Sequence, residues 1–560
     1  MKRALLFICL HLVGAIWASA YDFSAVAPTG QTLYYNIVGD EAHVTYPTYM
    51  NFYWGGYASP TGSLTLPVNV THNGTTYNVT SIGESAFTYC TDLTSVTIPN
   101  SVTSIGATAF YNCSGLTSVT IPNSVTAVGE SAFAGCSGLT APVYNNVVFA
   151  FLPPSYSGSY AIPTGITTIA GDAFSGCHGL TSVTIPNTVT SIEEFAFLNC
   201  SGLTSIVVDS GNSTYDSRNG CNAIVETATN TLVAGCLNTV IPNTVTAIGN
   251  GAFYGCSGLT SVTIPGSVST IGNKAFYDCS GLTSISIPNT VTSIGNHVLS
   301  GCSGLSSPVY NTSHFVLLPS SYCGSFAIPD GITAICGSAF YDCAYMTSVE
   351  IPSTVTAIGV GAFTNCSGLT SVTIPNNVES IEIDVFFGCT GLTSVDIPNS
   401  VTTIESWAFY GCWGLAALTL PSSLTTVESY AFSDCRGLTN VTCMATTPPS
   451  CDSTAFSEVS STRTLTVPCG AEQAYRDSDW GSYFANISCP DVAVEEATED
   501  DKLQVWTSDG HIFVRIGRRK VKDFDVYDMM GRDVCNGNLP AGVYMVRVGN
   551  HPARKVAVIR

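Results

Sequence analysis

Residues 121–143 read IPNSVTAVGESAFAGCSGLTAPV, and most of the chain is a variation on that stretch. Ile/Leu-Pro pairs in the same setting begin at 98, 121, 162, 185, 241, 264, 287, 328, 351, 374, 397 and 420. Successive pairs are mostly 23 residues apart, with two gaps of 41 and one of 56. Self-similarity at a fixed period of about 20–50 residues marks a stack of equivalent coils. In LTSVTI (116–121), Val119 and Ile121 alternate with Ser118 and Thr120, which predicts a strand with one apolar face. Pro122 has no N–H to give a ladder, so the strand ends there. Asn123-Ser124 turns the chain, and Val125 and Val128 suit a second short extended piece. Ala132, Phe133 and Cys136 are spaced for a helical turn. A single coil buries too little apolar surface to offset the entropy of ordering it, so each must be covered by its neighbours.

The irregular gaps carry their own pattern. A gap of 41 is one coil plus 18 residues, and the two such regions match. Pro142-Val143-Tyr144-Asn145 runs on to Ala161-Ile162-Pro163, and Pro308-Val309-Tyr310-Asn311 to Ala327-Ile328-Pro329, 166 residues later. The spacing predicts inserted hairpins near 142–161 and 308–327. The gap of 56 predicts another within 204–236, where TYDSRNGCNAIVETATNTLVAGC has arms at Asn222–Glu226 and Thr231–Gly235. If its two-residue turn is Ala228-Thr229, Cys221 and Cys236 face each other and are a candidate disulfide. A turn at Thr229-Asn230 spoils that match.

The L-x-x-V-x-I strand, the A-F-x-x-C turn and the 23-residue period resemble BspA-like, or treponemal-type, leucine-rich repeats over roughly residues 80–445. The resemblance implies a mainly β fold: a leucine-rich-repeat solenoid over 81–445 with one parallel sheet. It also implies a non-enzymatic bacterial cell-surface or secreted interaction scaffold. Several members are adhesins that bind host matrix proteins or other cells, so the expected partner is a protein or glycan on host or neighbouring cells.

The ends differ from the repeat. Lys2 and Arg3, the apolar run Ala4–Trp17 and the small-residue site Ala18-Ser19-Ala20 predict a cleaved leader over 1–20. Residues 21–80 predict a small β cap over the first coil, with strands over 31–38, 43–46, 62–70 and 75–79. Residues 446–489 read as a closing cap with helical character at 471–475 and 480–484. Pairing among Cys323, Cys336, Cys443, Cys451, Cys469 and Cys489 stays open at this point. The stretch 490–502 is an acidic linker. The last 58 residues, 503–560, alternate apolar and polar positions and carry Met530-Gly531-Arg532, LPAGVYMVR (539–547) and KVAVIR (555–560). They resemble the C-terminal sorting domain of type IX secretion substrates. That resemblance implies a β-sandwich read by secretion machinery, and a location on the outer surface of a Gram-negative bacterium or outside the cell.

Composition narrows function by exclusion. Charged residues make up 10% of the 560, against about 25% in an ordinary soluble protein. The net charge of −21 divides into +2 over 1–20, −29 over 21–501 and +6 from 502 onward. So acidic a body repels phosphate backbones, which excludes nucleic acid as its partner. No segment after the leader is long and apolar enough to span a membrane as a helix. Of 23 cysteines, thirteen share one repeat position: 90, 113, 136, 177, 200, 256, 279, 302, 343, 366, 389, 412 and 435. A single row at strand spacing reads as small buried hydrophobes, with no metal site and no cofactor. The seven histidines beyond residue 20 are scattered, and no nucleophile, phosphate-loop or zinc motif is present. Glu193-Glu194 and Glu382/Asp384 sit at turn positions and read as a solvated face.

What remains is surface. Outward strand positions form a hydroxyl carpet at Ser95/Thr97, Ser118/Thr120, Ser182/Thr184, Ser261/Thr263, Ser284/Ser286 and Ser371/Thr373. It could bind a ligand weakly at many points or be an inert soluble face. Aromatics beside the A-F pair, Tyr111, Tyr254, Tyr277, Tyr341, Trp407, Tyr410 and Trp413, are candidate partner contacts. The competing expectation is that they stack on one another along the solenoid flank. Besides an adhesin, the sequence leaves open a structural surface-layer component and, less favoured, a secreted glycan-active enzyme with an unrecognised cleft.

Overall fold

The computed structural model describes residues 21–489 except 49–53, 55 and 459–462. It also describes 503–508, 511–516, 519–521, 525–527, 534, 539, 542–547 and 554–558. The leader, the acidic linker and the motif residues 530–532 and 540–541 lie outside the described residues.

One coil shows how the repeat folds. Ser118–Thr120 is a strand paired in parallel with Leu93–Thr97, with Ser118 opposite Ser95 and Val119 opposite Val96. Leu116 and Ile121 at its two ends are buried. Past Pro122, the Val125 N–H closes a turn on the Pro122 carbonyl at 3.0 Å. The chain then enters a two-residue strand, Ala127–Val128, parallel to Ser104–Ile105. Both strands recur coil after coil, so the stack carries two parallel ladders where the sequence reading had one.

The third side differs from expectation. The A-F-x-x-C segment is a run of linked turns, not a helical turn. Ser131 and Gly135 have φ of 56° and 76°, and left-handed residues four apart cannot sit in a right-handed helix. Within the coil, the N–H groups of Ala134 and Cys136 reach back to the carbonyls of Ser131 and Phe133 at 3.1 and 3.2 Å. In the preceding coil, the N–H groups of Thr108, Phe110 and Asn112 cross forward to Glu130, Ala132 and Ala134 at 2.9, 2.8 and 2.8 Å. Alternate peptides thus bond within a coil and between coils, so this wall is a third ladder.

Side chains repeat with the backbone. The phenylalanines stack face to face at 5.2 Å from Phe87 to Phe110 and from Phe110 to Phe133, and again from Phe340 through Phe363 at 4.7 Å. The cysteine row lies beside them, buried and as free thiols. Cys113, Cys136, Cys279 and Cys366 each donate Sγ–H to the carbonyl of the phenylalanine 26 residues earlier, at 3.0–3.1 Å. Cysteine therefore packs as a small hydrophobe and also adds a second bond to a carbonyl that already accepts a backbone N–H, as Phe87 does from Cys90 at 3.0 Å and Phe110 from Cys113 at 3.1 Å. Burial pushes Cys177 and Cys302 up to about 12.

The 18 extra residues of each long gap make a shortened coil. Val143–Tyr144 and Val148–Phe151 do pair antiparallel. The hairpin does not project, however, because Val148–Phe151 joins the second ladder beside Thr168–Ile169 and Ser157–Ala161 joins the first beside Gly179–Ile185. His314–Leu317 and Gly324–Ala327 repeat this arrangement. Phe149 and Phe315 stand in for the missing A-F phenylalanine, each 4.9 Å from the next ring.

The strand register does not set Cys221 opposite Cys236. Near the turn the register is as expected, with Glu226 opposite Thr231 and Val225 opposite Leu232. A shift between Ile224 and Val225 then sets Ile224 against Ala234 and Ala223 against Gly235. One extra residue turns every later side chain to the other face. Cys236 enters the apolar cluster that holds Leu203 and Ile206, whereas Cys221 enters the one that holds Phe253 and Phe276. Both are free thiols, and Cys236 Sγ donates to the Asn222 carbonyl at 3.2 Å.

The N-terminal segment supplies the first rung of two ladders. Gly62–Thr65 runs parallel to Leu93–Thr97, and Thr75–Ile82 runs parallel to both Glu41–Thr45 and Ser104–Ile105. An unforeseen strand, Phe23–Val26, lies antiparallel to Thr32–Val38 and ends that sheet. At the other end the repeat runs on past 445. Ser450–Cys451 pairs with Thr426–Val427, and Phe456 stacks on Phe432 at 5.2 Å. The helices are short, Glu472–Arg476 and Trp480–Tyr483. The C-terminal segment has two three-stranded antiparallel sheets, one over Leu503–Val521 and one over Asp525–Val558.

Candidate functional site

The seven aromatic candidates all stand on the turn wall, but most are occupied with one another. Tyr111 meets Tyr89 edge-on at 5.8 Å. Tyr254 and Tyr277 stack at 4.7 Å, with Phe195 edge-on to Tyr254 at 6.4 Å. Burial pushes the Tyr254 phenol up to about 12. Tyr410 stacks on Phe387 at 5.0 Å and Trp407 on Tyr430 at 6.0 Å. Flank stacking accounts for these five. Tyr341 and Trp413 differ, being 41% and 48% exposed.

Trp413 is held rather than free. Its indole N–H donates to Asp434 Oδ2 at 3.0 Å, and Arg436 Nε donates to Asp434 Oδ1 at 2.7 Å. The guanidinium carbon lies 5.0 Å from the Trp413 ring centroid. Burial works against the Asp434 charge, but hydrogen bonds from Arg436 and Trp413 outweigh it and hold the carboxyl below its usual range. Trp407 and Tyr430 have φ of 58° and 57°, a conformation that costs a bulky residue about 1–2 kcal/mol. Phe387–Tyr410 and Trp407–Tyr430 are thus two stacked pairs, with Trp413 held separately by Asp434 and Arg436, on three successive coils. Sequence reasoning missed Tyr345, Asp434 and Arg436. Tyr345, 71% exposed, and Arg436 replace residues of the usual C-S-G-L stretch, and that departure was the signal.

A second row of hydroxyls runs beside the hydroxyl carpet. The threonine that precedes each strand donates to its counterpart's carbonyl one coil back, as Thr117 does to Thr94 at 3.1 Å and Thr283 to Thr260 at 3.2 Å. Those hydroxyls are spent on the ladder. The outward pairs such as Ser118/Thr120 and Ser261/Thr263 are exposed.

Acidic side chains on the turn wall are partly withdrawn from water. Asp384 has φ of 59°, and burial pushes its carboxyl up to about 6. A carboxyl whose folded value is raised favours the protonated state, so its contribution to stability is present below about pH 4 and is lost as the pH rises through 6. Full linkage would be about 3 kcal/mol. For a half-exposed group, about 1 kcal/mol is the expected part. Asp384→Asn is therefore expected to be about 1 kcal/mol more stable than the parent at pH 7 and equal to it at pH 4, by urea denaturation. Equal stability at pH 7 would refute this.

An open groove of about 720 Å³ runs over successive coils between Ile294 and Glu382, with His314, Thr356, Asn377 and Glu379 among its lining. Among the described residues, no group of three or more His, Cys, Asp or Glu could hold a metal ion. No helix among them is long and apolar enough to cross a membrane.

Comparison with curated proteins finds no match. Among solved structures, the chain is similar to a leucine-rich cell surface protein of Faecalibacterium prausnitzii, at 28% identity over 75% of this chain and 94% of that one, with a TM-score of 0.36. A leucine-rich repeat protein of Bacteroides ovatus is 26% identical over 75% and 94%, with a TM-score of 0.27. The pneumococcal vaccine antigen PcpA is 17% identical over 84% and 100%, with a TM-score of 0.30. The family model described as BspA type leucine rich repeat region matches residues 68–151, 150–221, 234–317, 319–439 and 357–478, well over half of the sequence. With its mainly β solenoid of 23-residue coils, the chain belongs to the BspA-type leucine-rich repeat family.

Proposed function

We propose that this protein is a non-enzymatic interaction scaffold on a bacterial cell surface or released from it. It acts as an adhesin for a protein or glycan on host or neighbouring cells. The observation that carries this reading is Trp413, 48% exposed and braced by Asp434 and Arg436. An exposed indole fixed by a carboxylate and a guanidinium loses little side-chain entropy on binding, and tryptophan, tyrosine and arginine dominate contact energies. The threonine ladder speaks for the structural alternative, in which the surface is only a soluble coat. A binding screen of the protein against immobilised matrix proteins and glycans separates the two. Binding that Trp413→Ala weakens at least about tenfold supports the adhesin. Absence of any binding leaves the coat.

Export is part of the same reading. The leader at 1–20 and the basic segment 503–560, similar to type IX sorting domains, would route the chain outward. Mass spectrometry of protein released from the surface is expected to find an N-terminus at Tyr21 and an end near 490–502. Full-length protein in the cytoplasm would contradict it.

A further inference from the structure

The C-terminal cap holds a pair of cysteines unlike those of the ladder. Thr464–Thr466 and Asn486–Ser488 are neighbouring strands, and the Val467 N–H bonds the Ser488 carbonyl at 2.9 Å. The residues that follow each strand therefore leave the sheet side by side. On one chain Pro468 stops the strand. Gly470, at φ 94°, then turns the backbone, and its N–H is held by Glu472 Oε2 at 2.7 Å. Cys469 lies within that turn, and Cys489 is the residue directly after Ser488. Their thiols are in side-chain hydrogen-bond contact, with the Glu472 carboxyl also bonded to Cys489. Cys469 is exposed and Cys489 half-exposed, whereas the thirteen ladder cysteines are buried. The other cap cysteines are committed elsewhere. Cys443 is buried and accepts the Tyr475 hydroxyl at 3.1 Å, and Cys451 is also buried.

We propose that Cys469 and Cys489 are a disulfide-forming pair that staples the end of the cap. The oxidant is another disulfide, either a small molecule or an oxidoreductase. One thiolate attacks it and forms a mixed disulfide. The second thiolate displaces the carrier's sulfur, and the carrier leaves as two thiols bearing the two protons. One S–S bond forms in the cap and one breaks in the oxidant, a two-electron exchange. The bridge closes a loop that contains both cap helices and fixes Asn486–Ser488, the last strand of its sheet. A terminal strand with one neighbour is the part of a stack most prone to fraying.

The pairing does not rest on the surface reading, because the test supplies its own oxidant. The reduced full chain is incubated with oxidised glutathione, blocked with iodoacetamide and digested without reduction. A linked peptide pair that contains Cys469 and Cys489, and disappears on reduction, is the expected product. In Cys489→Ser the remaining Cys469 is expected as a glutathione adduct. Proteolysis between 470 and 488 should be on the order of tenfold slower or more in the oxidised parent than in that variant. Recovery of Cys469 and Cys489 as separate alkylated or glutathione-bearing peptides from the parent, or as partners of Cys443 or Cys451, overturns the pairing. Equal cleavage rates overturn the staple.

Discussion

Phe363→Ala is expected to lower the free energy of unfolding by about 3–5 kcal/mol. Phe363 is fully buried, with its ring 4.7 Å from Phe340 and 5.4 Å from Phe386. Truncation removes the apolar transfer term and leaves a void that flanking coils cannot fill, because three backbone ladders fix their spacing. Each coil contacts only its neighbours, so the damage also divides the stack into two weakly coupled blocks. Urea unfolding followed by circular dichroism should shift to lower midpoint and broaden or split. Tyr345→Ala, at a 71% exposed site, is the control and should change stability by about 0.5 kcal/mol or less. A single transition displaced by under about 1 kcal/mol in Phe363→Ala would contradict the role given to the ring column.

Asn212→Ala is expected to cost a similar amount, about 3–5 kcal/mol, for a different reason. The buried Asn212 amide donates to the Pro186 and Val189 carbonyls, both at 2.9 Å. Its carbonyl accepts the Thr214 and Tyr215 N–H groups at 2.9 and 2.8 Å. Alanine would remove the partners of the Val189 carbonyl and of the Thr214 and Tyr215 N–H groups, and leave the Pro186 carbonyl with only the Val189 N–H at 3.3 Å. Asn145 and Asn311 make the same four-bond bracket at the two short coils. All three irregular coils are therefore launched by one device. Asn212→Asp keeps the acceptor but loses both donors and buries a carboxyl, so its deficit should grow as the pH rises above about 4. Denaturation at pH 4 and 7 checks both variants. A cost below about 1 kcal/mol for alanine at all three asparagines would remove this account.

How far the sequence could be read depended on which property each feature uses. The coil and its first strand follow from apolar alternation stopped by proline, which is local and repeats. The turn wall was misread because its left-handed positions are filled by Ser131, Phe195, Lys274 and Trp407, residue types that give no hint of positive φ. Spacing alone cannot tell linked turns from a helical turn. The register expected to set Cys221 against Cys236 is broken by one bulge, which no composition rule marks. The end of the repeat was placed too early because Thr447-Pro448-Pro449 disturbs the period, although Ala455-Phe456 continues it. Among the aromatics, the sequence identified the wall but not the occupancy. Only coordinates separate Tyr254, which is covered by Tyr277, from Trp413, which is exposed and braced.

The one-residue shift that parts Cys221 from Cys236 has a mechanical consequence. A pull along the stacking direction acts along the bonds between rungs, so rungs peel open one after another. Resistance at each rung comes from the side chains buried between neighbours. At the insertion the buried side chains fall into two separate clusters. The turn wall crosses it through the Asn199 N–H to Tyr254 carbonyl bond at 3.0 Å, an Asn250 amide to Glu194 carboxylate bond at 2.9 Å, the Lys274 ammonium 6.0 Å from the Phe195 ring centroid and an edge contact of 6.4 Å between Phe195 and Tyr254. The rung before it, Phe174 on Phe197, is closed at 4.8 Å. A chain tethered at one end and loaded at the other should therefore yield first near 208–241. Single-molecule stretching is expected to record the stack lengthening as two blocks, and a single uniform lengthening would contradict it.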